Sequence, residues 1–336
     1  MLENHLDRAL AARADLIDSD PRHEGAFRLF NGFLEGQPDL VVDIYGRTAV
    51  VHNYAEPPAE AAGLVERAVR WVCGALSWVD TGLVKARYAD DPGLRQGRVA
   101  FGDSLARRVR EHGVWYALDL RLNQDASFYL DTRNLRRWAL ENLAGLSVLN
   151  TFAYTGSLGV AARAGGAARV VQLDLSRQFL NVAKASYALN GWPVDKADFQ
   201  ASDFWERLGH YKKAGLRFDC VLLDPPLFAE TRGGRVDLVS NSARLINKVR
   251  PLINHGGYLV SVNNALFVPG ADYLRTLEGL CAGGYLELER LIDVPADCAG
   301  YPATLAGAAP ADPAPFNHST KIAVLRVRRK DAAAGA

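Results

Sequence analysis

The sequence predicts an α/β fold, a doubly wound Rossmann-like sheet with a smaller N-terminal α+β domain in front of it. Three observations carry that expectation. From residue 128 onward, short apolar runs alternate with helical patterns, as strand–helix units feeding a parallel sheet do. Those runs lack strict alternation, as befits strands buried on both faces. Upstream, short strand-like runs are broken by turn dipeptides, which reads as a separate mixed domain. A chain of 336 residues suits roughly two domains of ~150 residues. The expected boundaries are 1–110 for the α+β domain, 111–330 for the sheet domain and 331–336 for a disordered tail.

Taken in order, Leu2, Leu6, Leu10 and Leu16 repeat at helical spacing and predict a helix over 2–16. Strands follow at 26–30, 40–44 and 49–54, separated by Asn31-Gly32, Gln37-Pro38 and Tyr45-Gly46. A helix is expected over 58–76, a strand over 83–88, a polar Gly-rich stretch over 90–102, and a strand pair at 105–110 and 114–122. In the second domain the pattern predicts a helix over 132–143, capped by Asp131 and stopped by Gly145. Strands are predicted at 146–152, 170–173, 199–201, 218–223, 257–262, 286–294 and 321–327. Ser176 can cap the helix that ends near Asn190-Gly191, with Phe179, Val182, Ala183 and Ser186 facing inward.

Composition excludes several classes. No apolar run is long enough to span a bilayer, and residues 1–16 lack the apolar core of a signal peptide, so a cytoplasmic protein is expected. Cys73, Cys220, Cys281 and Cys298 form no CxxC pair, which argues against zinc and against a disulfide framework. A net charge of +1 gives no global field for nucleic acid, so any such contact must be local.

In an open α/β sheet, ligands bind where the strands end. After the first strand of the second domain comes Asn150-Thr151-Phe152-Ala153-Tyr154-Thr155-Gly156, with Gly159 beyond. Glycine there lets backbone approach a ligand at a helix N-terminus; an ordinary strand–helix turn fits equally well. The motif is not GxGxxG, which disfavours a dinucleotide. Asp174, 18 residues after Gly156 and followed by Leu175, can accept both hydroxyls of a ribose, or simply cap a helix. Asp203-Phe204 can offer a carboxylate to an exocyclic amine and a ring to a base, or cap the next helix. The most specific feature is Asp224-Pro225-Pro226 after five apolar strand residues. Two prolines fix the backbone and remove two donors, leaving a rigid cluster of acceptors.

These segments together resemble a known family. Residues 150–167 (NTFAYTGSLGVAARAGGA), 170–174 (VVQLD), 218–228 (FDCVLLDPPLF) and 123–133 (NQDASFYLDTR) are similar to the class I ribosomal RNA methyltransferases of the bacterial large subunit. Within that family they resemble the cytosine-C5 enzymes and the guanine-N7 enzyme. Residues 26–46 resemble the start of the cytosine enzymes' central domain. The resemblance implies S-adenosylmethionine as cofactor, RNA, specifically ribosomal RNA, as partner, and no metal. It implies that Gln124, Tyr129, Asp131 and Arg133 close over the cofactor, that Asn150, Phe152, Tyr154, Thr155 and Gly156 line its methionine part, that Asp174 and Leu175 meet the ribose, and that Asp203 and Phe204 meet the adenine. Asp224, Pro225 and Pro226 would face the methyl group and the target base.

Two departures narrow the chemistry. The chain is expected to lack the N-terminal PUA-type domain of the cytosine enzymes. It also lacks their cysteine after the fifth strand, whose thiolate must add to the pyrimidine; the segment reads Ser261-Val262-Asn263-Asn264. The Asn263-Asn264 pair resembles the guanine-N7 enzyme and would orient the base, with Phe228 or Phe267 stacking on it; a turn pair at a strand end is the alternative. Candidate RNA contacts are Arg107, Arg108 and Arg110; Arg133, Arg136 and Arg137; and Lys248 and Arg250. Arg326, Arg328, Arg329 and Lys330 suit solubilising the last strand. The Pro-rich loop 295–317 reads as a substrate lid, and His318 lies next to it. A methyltransferase for a small molecule or protein, and a nucleotide-dependent oxidoreductase, are the competing readings.

Overall fold

The computed structural model describes residues 1–329; the tail expected at 331–336, and Lys330, lie outside the described residues. The chain divides into two compact units, Met1–Asp131 with Pro295–Ala308, and Thr132–Val294 with the segment from Ala309 onward.

The first unit is built on a five-stranded sheet, β1 (Ala26–Asn31), β2 (Leu40–Tyr45), β3 (Thr48–Asn53), β4 (Thr81–Ala86) and β5 (Arg98–Phe101), in that spatial order. Only β3 and β4 run parallel, and the helix Ala62–Ala75 supplies the crossover such a pair needs. Leu40, Val42 and Ile44 alternate onto one face with Ala49 and Val51. There they pack on Leu2, Leu6 and Ala9 of the helix Leu2–Ala12 and on Val65, Ala68 and Val72, each triplet on one helical stripe. The expected 2–16 helix breaks at Arg13. Its guanidinium is fully buried and turns back to Ala9 O, Arg28 O and both oxygens of Glu35.

The opposite face of this sheet carries a cluster of charged residues beside Val41, Val50 and Leu83. Arg28 stands across from Asp43 and binds both its oxygens at 2.8 and 3.2 Å. His52 Nε2 lies 3.4 Å from Asp43, and the next residue in register, Lys85, is 1% exposed. Segment 123–131 is tied to this face. Lys85 Nζ donates to Asn123 O and Asp125 O at 2.7 and 3.0 Å, Arg87 pairs with Asp125, and Tyr45 donates to Phe128 O. The hairpin β6 (Arg108–Glu111) and β7 (Val114–Ala117) also joins this unit through Arg110 N–H and Glu24 O. These bonds move the boundary from the expected 110/111 to 131/132. The polar Gly-rich stretch at 90–102 holds the helix Pro92–Gln96, capped by Asp91, and the edge strand β5. Five helical and four strand residues are too few for periodicity to register.

The second unit is a seven-stranded sheet ordered β10 (Phe199–Ala201), β9 (Arg169–Asp174), β8 (Ser147–Thr151), β11 (Phe218–Leu223), β14 (Ile253–Asn263), β16 (Lys321–Val327), β15 (Leu286–Ile292). The four pairings from β10 to β14 are parallel, and β16 is antiparallel to both its neighbours. Strand order reverses between β8 and β11, the switch point where such sheets bind ligands. Leu149, Val171, Leu173, Val221, Leu223, Leu259 and Leu325 share one core with the helices Phe204–Lys213, Ser242–Val249 and Gly270–Cys281. Along the helix Arg177–Leu189 the buried residues are Leu180, Ala183, Ser186 and Tyr187, so the inward stripe is rotated from the one expected. Phe179 instead meets Tyr154 edge-on at 4.7 Å. The helix Arg133–Asn142 has Thr132, not Asp131, as its N-cap residue. The hairpin β12 (Phe228–Thr231) and β13 (Gly234–Asp237), directly after the two prolines, was not expected.

Candidate active site

The strand register brings the candidate residues of the second unit to one end of the sheet. Thr151 pairs with Leu173 and Leu223, Asp174 with Ala201, and Leu223 with Ser261. The residues that follow these positions therefore emerge side by side.

The turn after β8 is strained. Phe152, Tyr154 and Gly156 have φ of +53°, +50° and +77°, a region costing ordinary side chains about 1–3 kcal/mol each. Bonds over-determine it. Ala153 N–H reaches Leu173 O, Tyr154 N–H reaches Asp174 Oδ2 at 2.8 Å, and Gly156 N–H reaches Ala153 O. Phe152 also packs on Phe204, ring centroids 4.5 Å apart. A Cβ on Gly156 would stand 2.5 Å from Ala183 Cβ, and one on Gly159 2.2 Å from Gln172 Nε2. Gln172 is the brace, donating to Gly156 O and accepting from Asn150 Nδ2 at 2.8 Å. No expectation attached to Gln172, although a fully buried amide inside VVQLD is the signal that could have found it. Thr155 is buried here as well.

Asp174 accepts from the Tyr154 and Ser176 N–H groups, one on each oxygen. Burial pushes its pKa up while those N–H donors pull it down. Each carboxylate oxygen keeps a further lone pair, and Leu175 beside it is 65% exposed. Asp203 does cap the next helix, its Oδ1 accepting from Trp205 and Glu206 N–H. Among the described residues its buried Oδ2 has no hydrogen-bond partner, and neither has Asn150 Oδ1. Such orphaned acceptors cost about 1–3 kcal/mol unless a ligand satisfies them. An adenosyl group carries the amine and hydroxyl donors that fit. Phe204 corrects the expectation: it is 6% exposed and part of the core, so it supports Phe152 rather than forming a face for a base.

At the end of β11, Asp224 is half-buried, Pro225 buried and Pro226 exposed. Asn264 Nδ2 donates to Pro225 O at 3.3 Å, which ties the two motifs together. Asn263 is different. It is 1% exposed, with Nδ2 on Leu238 O and Oδ1 on Ala265 N–H. Its side chain is spent on fixing the turn, so the base-orienting role expected of it is withdrawn. Buried Lys321 holds the same turn through Ala265 O. Phe228 and Phe267 flank this end of the sheet, 53% and 77% exposed.

In the first unit, Gln124 is exposed and Asp131 half-buried, while Tyr129 donates to Asp125 Oδ2 at 3.0 Å. Tyr129 and Asp131 line a cavity of about 110 Å³ with Arg28, Asp43, His52 and Asp125. Arg133 opens its helix in the second unit, half-buried.

Several expected surface groups are otherwise engaged. Arg136 is fully buried and binds Thr132 Oγ1, and Arg137 pairs with Glu141. Lys248 lies over Trp205 and Arg250 over Tyr285. Arg326 and Arg328 pair with Glu289 and Glu287, and Arg329 binds Pro251 O. The loop expected to be a lid is anchored instead. Asp297 accepts Arg28 N–H, Cys298 O accepts from Asn31, and Thr304 donates to Glu35; farther on, Asp312 O accepts Gly270 N–H. His318 Nδ1 takes Thr320 N–H. Cys220 is fully buried, which drives its thiol pKa far up, and burial raises Cys281 too. No helix among the described residues is long and apolar enough to cross a membrane.

Comparison with known proteins fits this geometry. The family model for S-adenosylmethionine-dependent methyltransferases matches residues 27–306. Among curated proteins, the ribosomal RNA large subunit methyltransferase I of Serratia proteamaculans is 29% identical over 245 residues, covering 72% of this chain and 62% of its own length. The ribosomal RNA large subunit methyltransferase K/L of Colwellia psychrerythraea is 29% identical over 245 residues, covering 71% of this chain and 34% of its own. The chain thus spans less than two thirds of the length of these relatives. Among solved structures, SMU.776, described as a methyltransferase complexed with SAH, superposes with a TM-score of 0.81 at 19% identity, covering 97% of this chain and 81% of that one; at that identity the likeness is one of fold. A family match over most of its length, on a sheet of this topology, makes the chain a member of the S-adenosylmethionine-dependent methyltransferases.

Proposed function

We propose that this enzyme methylates a guanine ring nitrogen in large-subunit ribosomal RNA. The RNA part of the reading is supported by the names of the relatives above. The choice of nitrogen rests on one observation. The turn after β14 presents Asn264 against Pro225 and no thiol, while burial raises the thiol pKa of both Cys220 and Cys281 in the second unit. Carbon 5 of cytosine needs a thiolate to make it nucleophilic; guanine N7 carries its own lone pair, so catalysis reduces to alignment.

S-adenosylmethionine, when bound, supplies an electrophilic methyl group on a sulfonium. In this proposal Arg133, Asn150, Phe152, Tyr154, Thr155, Gly156, Asp174, Leu175 and Asp203 of the second unit hold the cofactor, with Asp174 on the ribose and Asp203 Oδ2 on the adenine amine. Asp224 accepts from the base edge. Asn264 keeps a carbonyl and a second N–H for the same edge. Phe228 or Phe267 offers a face for stacking. Mass mapping of ribosomal RNA from a strain lacking the gene tests the reading: one methylguanine should disappear, and an unchanged map at every nucleotide contradicts it.

A further inference from the structure

The charged face of the first sheet borders the cavity of about 110 Å³ described above. The sheet contributes Arg28 from β1, Asp43 from β2, His52 from β3 and Tyr54 just past the end of β3; Asp125 lines the opposite side. Most of the charge here is matched. Arg28 and Asp43 share two hydrogen bonds, and Asp125 pairs with Arg87. His52 is the exception. Its Nε2 is buried and has no hydrogen-bond partner among the described residues; Asp43 lies 3.4 Å away but out of line. The Tyr54 ring stands beside it, centroids 6.1 Å apart and planes tilted by 38°. Arg28, Tyr54 and Asp125 are only half-buried, so the cavity reaches solvent.

We propose that this cavity receives one unstacked, amino-bearing base of the RNA, an adenine, cytosine or guanine; this rests on the RNA reading above. Size sets the first limit. A space of about 110 Å³ equals roughly three to four waters at ~30 Å³ each, enough for one flat heterocycle and too little for its sugar as well. Charge sets the second. The one guanidinium of the lining is already matched by Asp43, so a phosphate or carboxylate ligand would meet the Asp125 carboxylate with no spare cation to offset it. An exocyclic amine suits the same lining, because a carboxylate oxygen that accepts one bond keeps a further lone pair. His52 Nε2 wants a donor or an acceptor according to its tautomer, and a base edge presents both side by side. Tyr54 adds an aromatic wall of the kind that holds splayed-out bases. Uracil, without an exocyclic amine, fits least well.

The test compares wild type with His52→Leu, His52→Gln and Tyr54→Ala. Four single-stranded RNAs serve as probes: an all-uridine decamer and the same strand with one central adenosine, cytidine or guanosine. Affinity for free adenine and free cytosine, affinity for S-adenosylmethionine, and methyl transfer to protein-free large-subunit ribosomal RNA are measured alongside. At least one substituted strand should bind wild type roughly tenfold tighter than the uridine strand. His52→Leu and Tyr54→Ala should erase that preference, and His52→Gln, which keeps a donor and an acceptor, should retain part of it. Cofactor affinity should stay unchanged in all three variants, which a general loss of folding would not allow. A preference that survives both His52→Leu and Tyr54→Ala overturns the pocket alone. So does equal binding of all four strands by a wild type that methylates RNA, which leaves a cavity filled by water. Saturation by free adenine or cytosine with no preference among the strands reassigns the cavity to a free base and also overturns the proposal. Failure of wild type to methylate RNA or to bind any strand overturns the RNA reading and this pocket with it.

Discussion

The two sheets of this protein are buried in opposite ways. In the second unit the central strands are mostly apolar on both faces, and two of the buried polar residues, Asn150 and Gln172, stand near the strand ends where the glycine turn needs bracing. In the first unit one face is apolar and the other carries Arg28, Asp43, His52 and Lys85 in hydrogen-bonding reach of one another or of segment 123–131. Buried charge is costly unless paired, so its presence marks something held in place. One sheet positions residues where its strands run out; the other positions a strap lying across its face. That strap carries Gln124, Tyr129 and Asp131.

Four substitutions probe this contrast. The largest effect is expected at the second sheet's end. Asp224→Ala should abolish methyl transfer while sparing most cofactor affinity; calorimetry that finds cofactor binding lost instead would mean the acid belongs to the cofactor pocket. Gly156→Ala combines a positive φ with a Cβ 2.5 Å from Ala183. It should lower stability by about 1–3 kcal/mol and weaken cofactor binding, read from chemical denaturation and from the dissociation constant; an unperturbed variant would show that the turn is not strained.

The first sheet should respond through its strap. Lys85→Met strands Asn123 O and Asp125 O, and should lower stability by about 1–3 kcal/mol in chemical denaturation. Burial brings the Lys85 pKa down to about 8. Between pH 8 and the ordinary lysine value the unfolded chain therefore binds more protons than the folded one, so stability from this group rises with pH across that window. Below pH 8 the cost of the buried charge is fully present. Denaturation midpoints should show wild type gaining on Lys85→Met as pH is raised from 8 to 10; parallel profiles would indicate a solvated lysine. The smallest effect is expected for Cys220→Ala, which should leave turnover within about twofold at some cost in packing; a collapse in kcat with stability retained would restore a thiol mechanism.

The parts of this architecture that were legible are those governed by local pattern. β10, β11 and β16 fall where the apolar runs put them, and Asp174, Asp203 and Asp224 lie at aligned strand ends because parallel register follows from the fold class. Tertiary pairing was not legible. Arg136 looks like a surface cation in sequence, but it folds back on Thr132 and is buried. Asn263 and Asn264 are adjacent and chemically identical, yet one is consumed by the turn and the other rests on Pro225. The hairpin after Pro226 was invisible because β12 is exposed or half-exposed throughout, leaving no apolar stripe to detect. Segment 295–308 reads as a free loop because the partners that bury it, Arg13, Arg28, Asn31 and Glu35, lie far away in sequence.

The central claim is methyl transfer to a guanine ring nitrogen without a thiolate. It is tested most directly by incubating the purified enzyme with large-subunit ribosomal RNA and S-adenosylmethionine carrying a labelled methyl group, then digesting the RNA to nucleosides and locating the label by mass spectrometry. The account predicts label in a ring-methylated guanosine. Label in 5-methylcytidine would contradict it.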